Sequence, residues 1–120
     1  MIAVVLDTNI VVSALIAPIG NEAVVLSLAL QGRLAVCFSP AILAEYQEVL
    51  SRPRLKLRPT EIEAALASIR GVGRMVYPFE TLDISSDEPD NRIYECAAAA
   101  HADYIVTGNA NISPRLTRTL

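Results

Sequence analysis

Ile2–Asn9, IAVVLDTN, is the stretch on which the reading of the chain turns. Apolar residues run unbroken into Asp7, followed by Thr8 and Asn9, as in a buried strand that delivers a carboxylate to its C-terminal tip. In an open α/β sheet, that tip is where ligands bind. Asp and Asn are also ordinary turn formers, so the stretch alone fits a core strand that simply ends in a turn.

Outward from it, the pattern alternates. IVVSALIAPIG, after Asn9, suits a strand continuation or a short helix and is broken by Pro18 and Gly20. Asn21–Leu30 carries a broad apolar helical stripe that Gly32 can end, and RLAVCF, Arg33–Phe38, reads as a second strand. Strand, helix, strand is the signature of a βαβ unit with a right-handed crossover. Ser39 and Pro40 supply an N-cap and a first helical residue for AILAEYQEVLS. Ile42, Leu43, Tyr46, Val49 and Leu50 share one face of that helix, and Glu45 borders it. A solvated helix glutamate has the same appearance in sequence.

Thr60 and Glu63 read as a capping box for a helix over Glu61–Arg70, ended by Gly71 and Gly73, with a third strand from Arg74 to Tyr77. ETLDISSDEP is a polar loop. The Ala-rich helix that follows runs from Pro89 or Asp90 to His101, with Asp87 and Asp90 where the helix dipole favours negative charge. DYIVTGN then repeats the opening pattern, a strand from Tyr104 to Thr107 ending in Gly108 and Asn109.

The 120 residues predict one domain, spanning 1–120, with a modest core. At 52% hydrophobic and 19% charged, the chain is too apolar for disorder, and it has no apolar run of membrane-spanning length. The opening run lacks a basic leader and meets Asp7 at once, so the expectation is a cytoplasmic protein. Ten Lys and Arg against 13 Asp and Glu give a net charge of −3, so nucleic-acid binding needs a local basic patch or bound metal. RPRLKLRP, Arg52–Pro59, is that candidate patch, with Arg52, Arg54, Lys56 and Arg58; it reads equally as a solvated loop. Cys37 and Cys96, each in apolar surroundings, read as buried thiols. One histidine, His101, excludes a three-histidine zinc site within the chain, whereas abundant carboxylates suit Mg²⁺ or Mn²⁺.

With strand order 3-2-1-4, Asp7, Glu45, Asp90 and Asn109 surround one crevice at the sheet's switch point. Three carboxylates so placed repel unless a cation offsets them. That set predicts metal-assisted hydrolysis of a phosphodiester. Two other classes compete. One is a catalytically inactive RNA- or protein-binding module that uses the basic patch. The other is a phosphoryl hydrolase with Asp7 as nucleophile, against which stand Asn9 in place of a second aspartate and Lys56 as the only lysine.

LDTN, the basic loop, and DEPDNRIYECAAAAHADYIVTGN together resemble PIN-domain proteins, specifically the bacterial toxin components of toxin–antitoxin systems. The resemblance covers nearly the whole chain. It implies a three-layer α/β/α sandwich around a parallel sheet, and a Mg²⁺- or Mn²⁺-dependent ribonuclease, often dimeric and often neutralised by a small antitoxin. Asp7 matches the first acidic position with Asn9 as its polar companion, Glu45 the helical glutamate, and Asp90 the third acidic position with Asp87 in support. Asp7, Glu45 and Asp90 are thus the expected metal ligands and catalytic residues. The fourth position, aspartate in many PIN domains, is Asn109 here, which removes one charge. Members usually add a fifth strand beside the fourth. The short tail after TGN leads to the expectation that this edge strand is missing or that a partner covers the edge, as in a homodimer or higher oligomer.

Overall fold

The computed structural model describes residues 1–79, 81, 88–107 and 112–113. At its centre is β1 (Ala3–Leu6), in which Val4, Val5 and Leu6 are all buried. An unbroken apolar run, rather than alternation, is what a strand covered on both faces requires. β2 (Ala35–Phe38) and β4 (Tyr104–Val106) pair with β1 in parallel, one on each side. β3 (Arg74–Met75) pairs in parallel with β2, giving four parallel strands in the order 3-2-1-4 flanked by helices. Asp103 locks β1 to β4 at their start: its carboxylate accepts the Ala3 N–H at 2.9 Å while its own N–H donates to the Ala3 carbonyl at 2.7 Å.

The expectation of a missing edge strand is corrected by β5 (Ile112–Ser113), which pairs antiparallel with β4. Ile105 and Val106 face Ser113 and Ile112 in register, so the edge of β4 is already paired within the chain.

The segment after Asn9 is helical. α1 (Thr8–Ile16) starts directly on Asp7, whose extended backbone makes it the N-cap and whose carbonyl accepts the Ile10 N–H at 2.9 Å. Ile10 and Val11 are fully buried, and this packing outweighs the modest helix propensity of β-branched residues. α2 (Asn21–Leu30) ends as the sequence predicts, with Gly32 at φ +75. The Gly32 N–H reaches Ala29 and the Arg33 N–H reaches Leu28, the paired bonds of a Schellman turn. α3 (Pro40–Leu50) opens on Ser39, whose hydroxyl accepts the Ile42 N–H at 3.2 Å.

α4 (Pro59–Val72) begins earlier than the predicted Thr60–Glu63 box. Arg58 is the N-cap, Pro59 supplies the preset φ of the first turn, and the Glu61 carboxylate accepts the Arg58 N–H at 3.0 Å. Gly71 lies inside this helix and Gly73 ends it. α5 (Glu88–Ala100) closes on His101, which adopts φ +52 while the next residue's N–H returns to Ala97 at 3.0 Å. The lone histidine is therefore a helix terminator on the surface.

Tyr46, Phe38, Leu6 and Ile10 are the bulkiest fully buried side chains. Cys37 and Cys96 are buried, free thiols, and burial first, then the neighbouring Cys37, pushes Cys96 up to about 12. Among the described residues, no single helix is long and apolar enough to cross a membrane. Gly73 is required by close approach: a Cβ there would lie 2.3 Å from the Phe38 ring and 2.9 Å from the Ile69 carbonyl. Gly73→Ala is expected to lower unfolding free energy by about 1–3 kcal/mol, the range for overpacking a core, as read from urea denaturation midpoints.

Candidate active site

Asp7 is held on both sides of its backbone. Its N–H donates to the Val106 carbonyl of β4 at 2.9 Å, and its carbonyl caps α1. The half-buried carboxylate is left at the tip of β1, making no capping hydrogen bond to the helix it precedes. Glu45, also half-buried, comes from the middle of α3. The next residue, Tyr46, is fully buried, and its hydroxyl donates to the Leu6 carbonyl at 2.5 Å. One hydrogen bond thus joins the residue before Asp7 to the residue after Glu45. Burial, then Cys96 and Asp7, push the Tyr46 phenol far above its ordinary range, so it stays a neutral donor. Asp90 enters from the first turn of α5, which packs on α3, β1 and β2.

Asp7, Glu45 and Asp90 line one cleft of about 470 Å³, together with Asn9, Arg52 and Arg54. Val12, Val49 and Ile93 supply apolar wall. Arg52 is paired with Glu48 at 3.0 Å on the exposed rim, and Glu48, followed by Glu45, favours its charged form. The basic loop divides. A 3-10 turn over Pro53–Leu55 carries Arg54 to the cleft, after which Lys56 takes a left-handed conformation and Arg58 caps α4. Neither Lys56 nor Arg58 is among the residues lining the cleft. Asp87 and Asn109 lie outside the described residues.

Sequence reasoning passed over Thr8, which is buried and lines the same cleft. It also missed an ion pair on α5, where Arg92 donates to the buried Glu95 carboxylate at 2.7 Å. The Arg-x-x-Glu spacing on an otherwise apolar helix face was the available signal.

The donors in the cleft are hard oxygens, with no histidine or cysteine among its lining residues, which suits Mg²⁺ or Mn²⁺. Among the described residues, no three His, Cys, Asp or Glu side chains are grouped closely enough to form a metal site. A cation here would therefore take fewer protein carboxylates and complete its shell with water and phosphate oxygens, the usual habit of Mg²⁺.

Residues 3–111 match the PIN domain, generally a nuclease fold. An uncharacterized protein of Methanocaldococcus jannaschii is 30% identical over 114 residues, spanning 92% of this chain and 73% of its own. No solved structure matches. The profile match runs from the first residue of β1 almost to β5, taking in each acidic residue of the cleft, and the chain belongs to the PIN-domain family.

Proposed function

We propose that this protein is a Mg²⁺- or Mn²⁺-dependent endoribonuclease that hydrolyses RNA phosphodiesters. The observation that carries the proposal is that Asp7, Glu45 and Asp90, each from a different element, line one cleft together with Arg52 and Arg54. Asp7, Glu45 and Asp90 would hold the cation, directly or through water. Once bound, it supplies an acidified water as nucleophile and compensates charge on the phosphate. Arg52 and Arg54 bind flanking phosphates, while Asn9 orients water or a ribose hydroxyl by hydrogen bonding. Asp87 and Asn109 are supporting candidates, and Lys56 and Arg58 extend the basic surface for more distant phosphates. The motif resemblance to bacterial toxin components supports two extensions: neutralisation by a small antitoxin, and action as a cytoplasmic homodimer.

The test is incubation of labelled single-stranded RNA with the protein in Mg²⁺, Mn²⁺ or EDTA. Cleavage with either metal, its loss in EDTA and its return on adding excess Mn²⁺ are expected. Thermal unfolding gives a second readout, since metal at a hundredfold excess over its dissociation constant stabilises the native state by about 2.7 kcal/mol. RNA binding without turnover, and no thermal shift with Mn²⁺, would instead support the inactive binding module, which the lack of a three-ligand grouping among the described residues keeps in view.

A further inference from the structure

The acidic cleft does not stop at Glu45. A second cavity, also of about 470 Å³, opens on its other side and shares Thr8, Glu45 and Ile93 with the first. Ala41, Ile42 and Ala44 form its α3 wall, and Arg92 stands on the α5 side. Ala41 precedes Glu45 by one helical turn and Val49 follows it by one, about 6 Å each way. Val49 and Arg52 line the first cavity and Glu48 the second, so the two cavities lie side by side along α3 and adjoin at Glu45.

The two cavities differ in chemistry. At one, Arg52 and Arg54 offer cationic groups suited to phosphates. At the other the wall is aliphatic, Glu45 borders it, and Glu48 beside it is paired with Arg52 at 3.0 Å. Arg92 is held there by its 2.7 Å bond to Glu95. The Arg92 side chain is 29% exposed, and guanidinium planes can stack on nucleobases. A cationic site for backbone beside an apolar site for a flat, uncharged group is the arrangement by which proteins hold single strands.

We infer that the second cavity receives one unpaired nucleobase, from the nucleotide adjoining the phosphodiester in the acidic cleft. The inference deepens the ribonuclease reading and rests on it for the placement of that phosphodiester. The base lies against Ala41, Ile42 and Ala44 with Arg92 over its face, which makes the substrate single-stranded at this point, since a paired base is not free to enter.

The experiment compares a fluorescent hexaadenylate with a six-residue abasic ribose-phosphate strand by anisotropy, with Ca²⁺ present to offset the carboxylates. The wild-type protein is expected to bind the base-bearing strand about tenfold more tightly, within the range for stacking one base. Ala41 and Ala44 are exposed on α3, so the double variant Ala41→Leu/Ala44→Leu fills the cavity with good helix formers. It is expected to narrow the preference to about twofold or less. Equal binding of the two strands by the wild type, or an undiminished preference in the variant, would overturn the inference. Hydrolysis of bis(4-nitrophenyl) phosphate by the wild-type protein with Mn²⁺ reports separately on the chemistry. A base preference without that hydrolysis would remove the ribonuclease reading and leave the base site standing.

Discussion

Asp7→Asn is expected to lower Mn²⁺-dependent RNA cleavage by at least about a hundredfold while changing native stability by no more than about 1 kcal/mol. The substitution keeps the shape of the side chain and the backbone bonds that fix it, to Val106 and Ile10. It removes the charge that holds a cation against the strand tip. A cation's stabilisation of phosphoryl transfer amounts to several kcal/mol, and about 2.7 kcal/mol already corresponds to a hundredfold in rate. Two small stability effects oppose each other. A negative charge at the start of α1 gains about 0.3–1 kcal/mol from the helix dipole, and its loss relieves repulsion within a cleft shared with Glu45 and Asp90. The measurement pairs cleavage rates with urea melts in EDTA. An unchanged rate would sink the assignment of Asp7; a lost rate with a collapsed melt would make the residue structural. Asp90→Asn, from a different element, provides a parallel reading of the same cleft.

The central strands were legible because each rests on a strong local signal; Asp7, Glu45 and Asp90 line one cleft, but among the described residues no three carboxylates group as a metal site. The unbroken run into Asp7 needs a doubly covered strand, the repeat in DYIVTGN needs a second one, and Ser39-Pro40 and Gly32 punctuate the helices between them. Where two local signals overlapped, sequence could not choose. Thr60 and Glu63 satisfy the capping pattern as well as Glu61 does, and the helix starts at Pro59 because proline fixes the backbone one residue earlier. α1 was ambiguous because its β-branched residues suit either state until the turn at Asp7 commits the chain to helix. The basic loop looked uniform in sequence, yet the left-handed turn at Lys56 separates Arg52 and Arg54 from Arg58. The Arg92–Glu95 pair resembles the exposed i,i+3 pairs of many helices, and only packing against α3 and the sheet shows that its glutamate is buried.

Tyr46→Ala is expected to be the most destabilising of these substitutions, lowering unfolding free energy by about 3–5 kcal/mol, the cost of replacing a buried aromatic side chain with alanine. Tyr46 is fully buried between α3 and the end of β1, so the loss removes packing and leaves a cavity beneath the acidic cleft. Against a typical total of about 5–15 kcal/mol, that threatens the fold itself. Tyr46→Phe separates the hydroxyl from the ring. It keeps the packing and deprives the buried Leu6 carbonyl of its donor, a change of about 1–3 kcal/mol. Because that bond links the residues adjoining Asp7 and Glu45, Mn²⁺ affinity and cleavage should fall together by about tenfold, as for outer partners of metal ligands. A purely structural role would move the urea midpoint and leave Mn²⁺ affinity of the folded protein unchanged. The pH dependence has a definite sign. The folded phenol titrates above its ordinary value of about 10, so its contribution is intact at lower pH and is lost as pH rises past that value toward the raised one. The stability difference between wild type and Tyr46→Phe should therefore be flat from pH 6 to about 9 and shrink above about 10. A difference that vanished between pH 6 and 8 would mean that the hydroxyl bond to Leu6 is not its source.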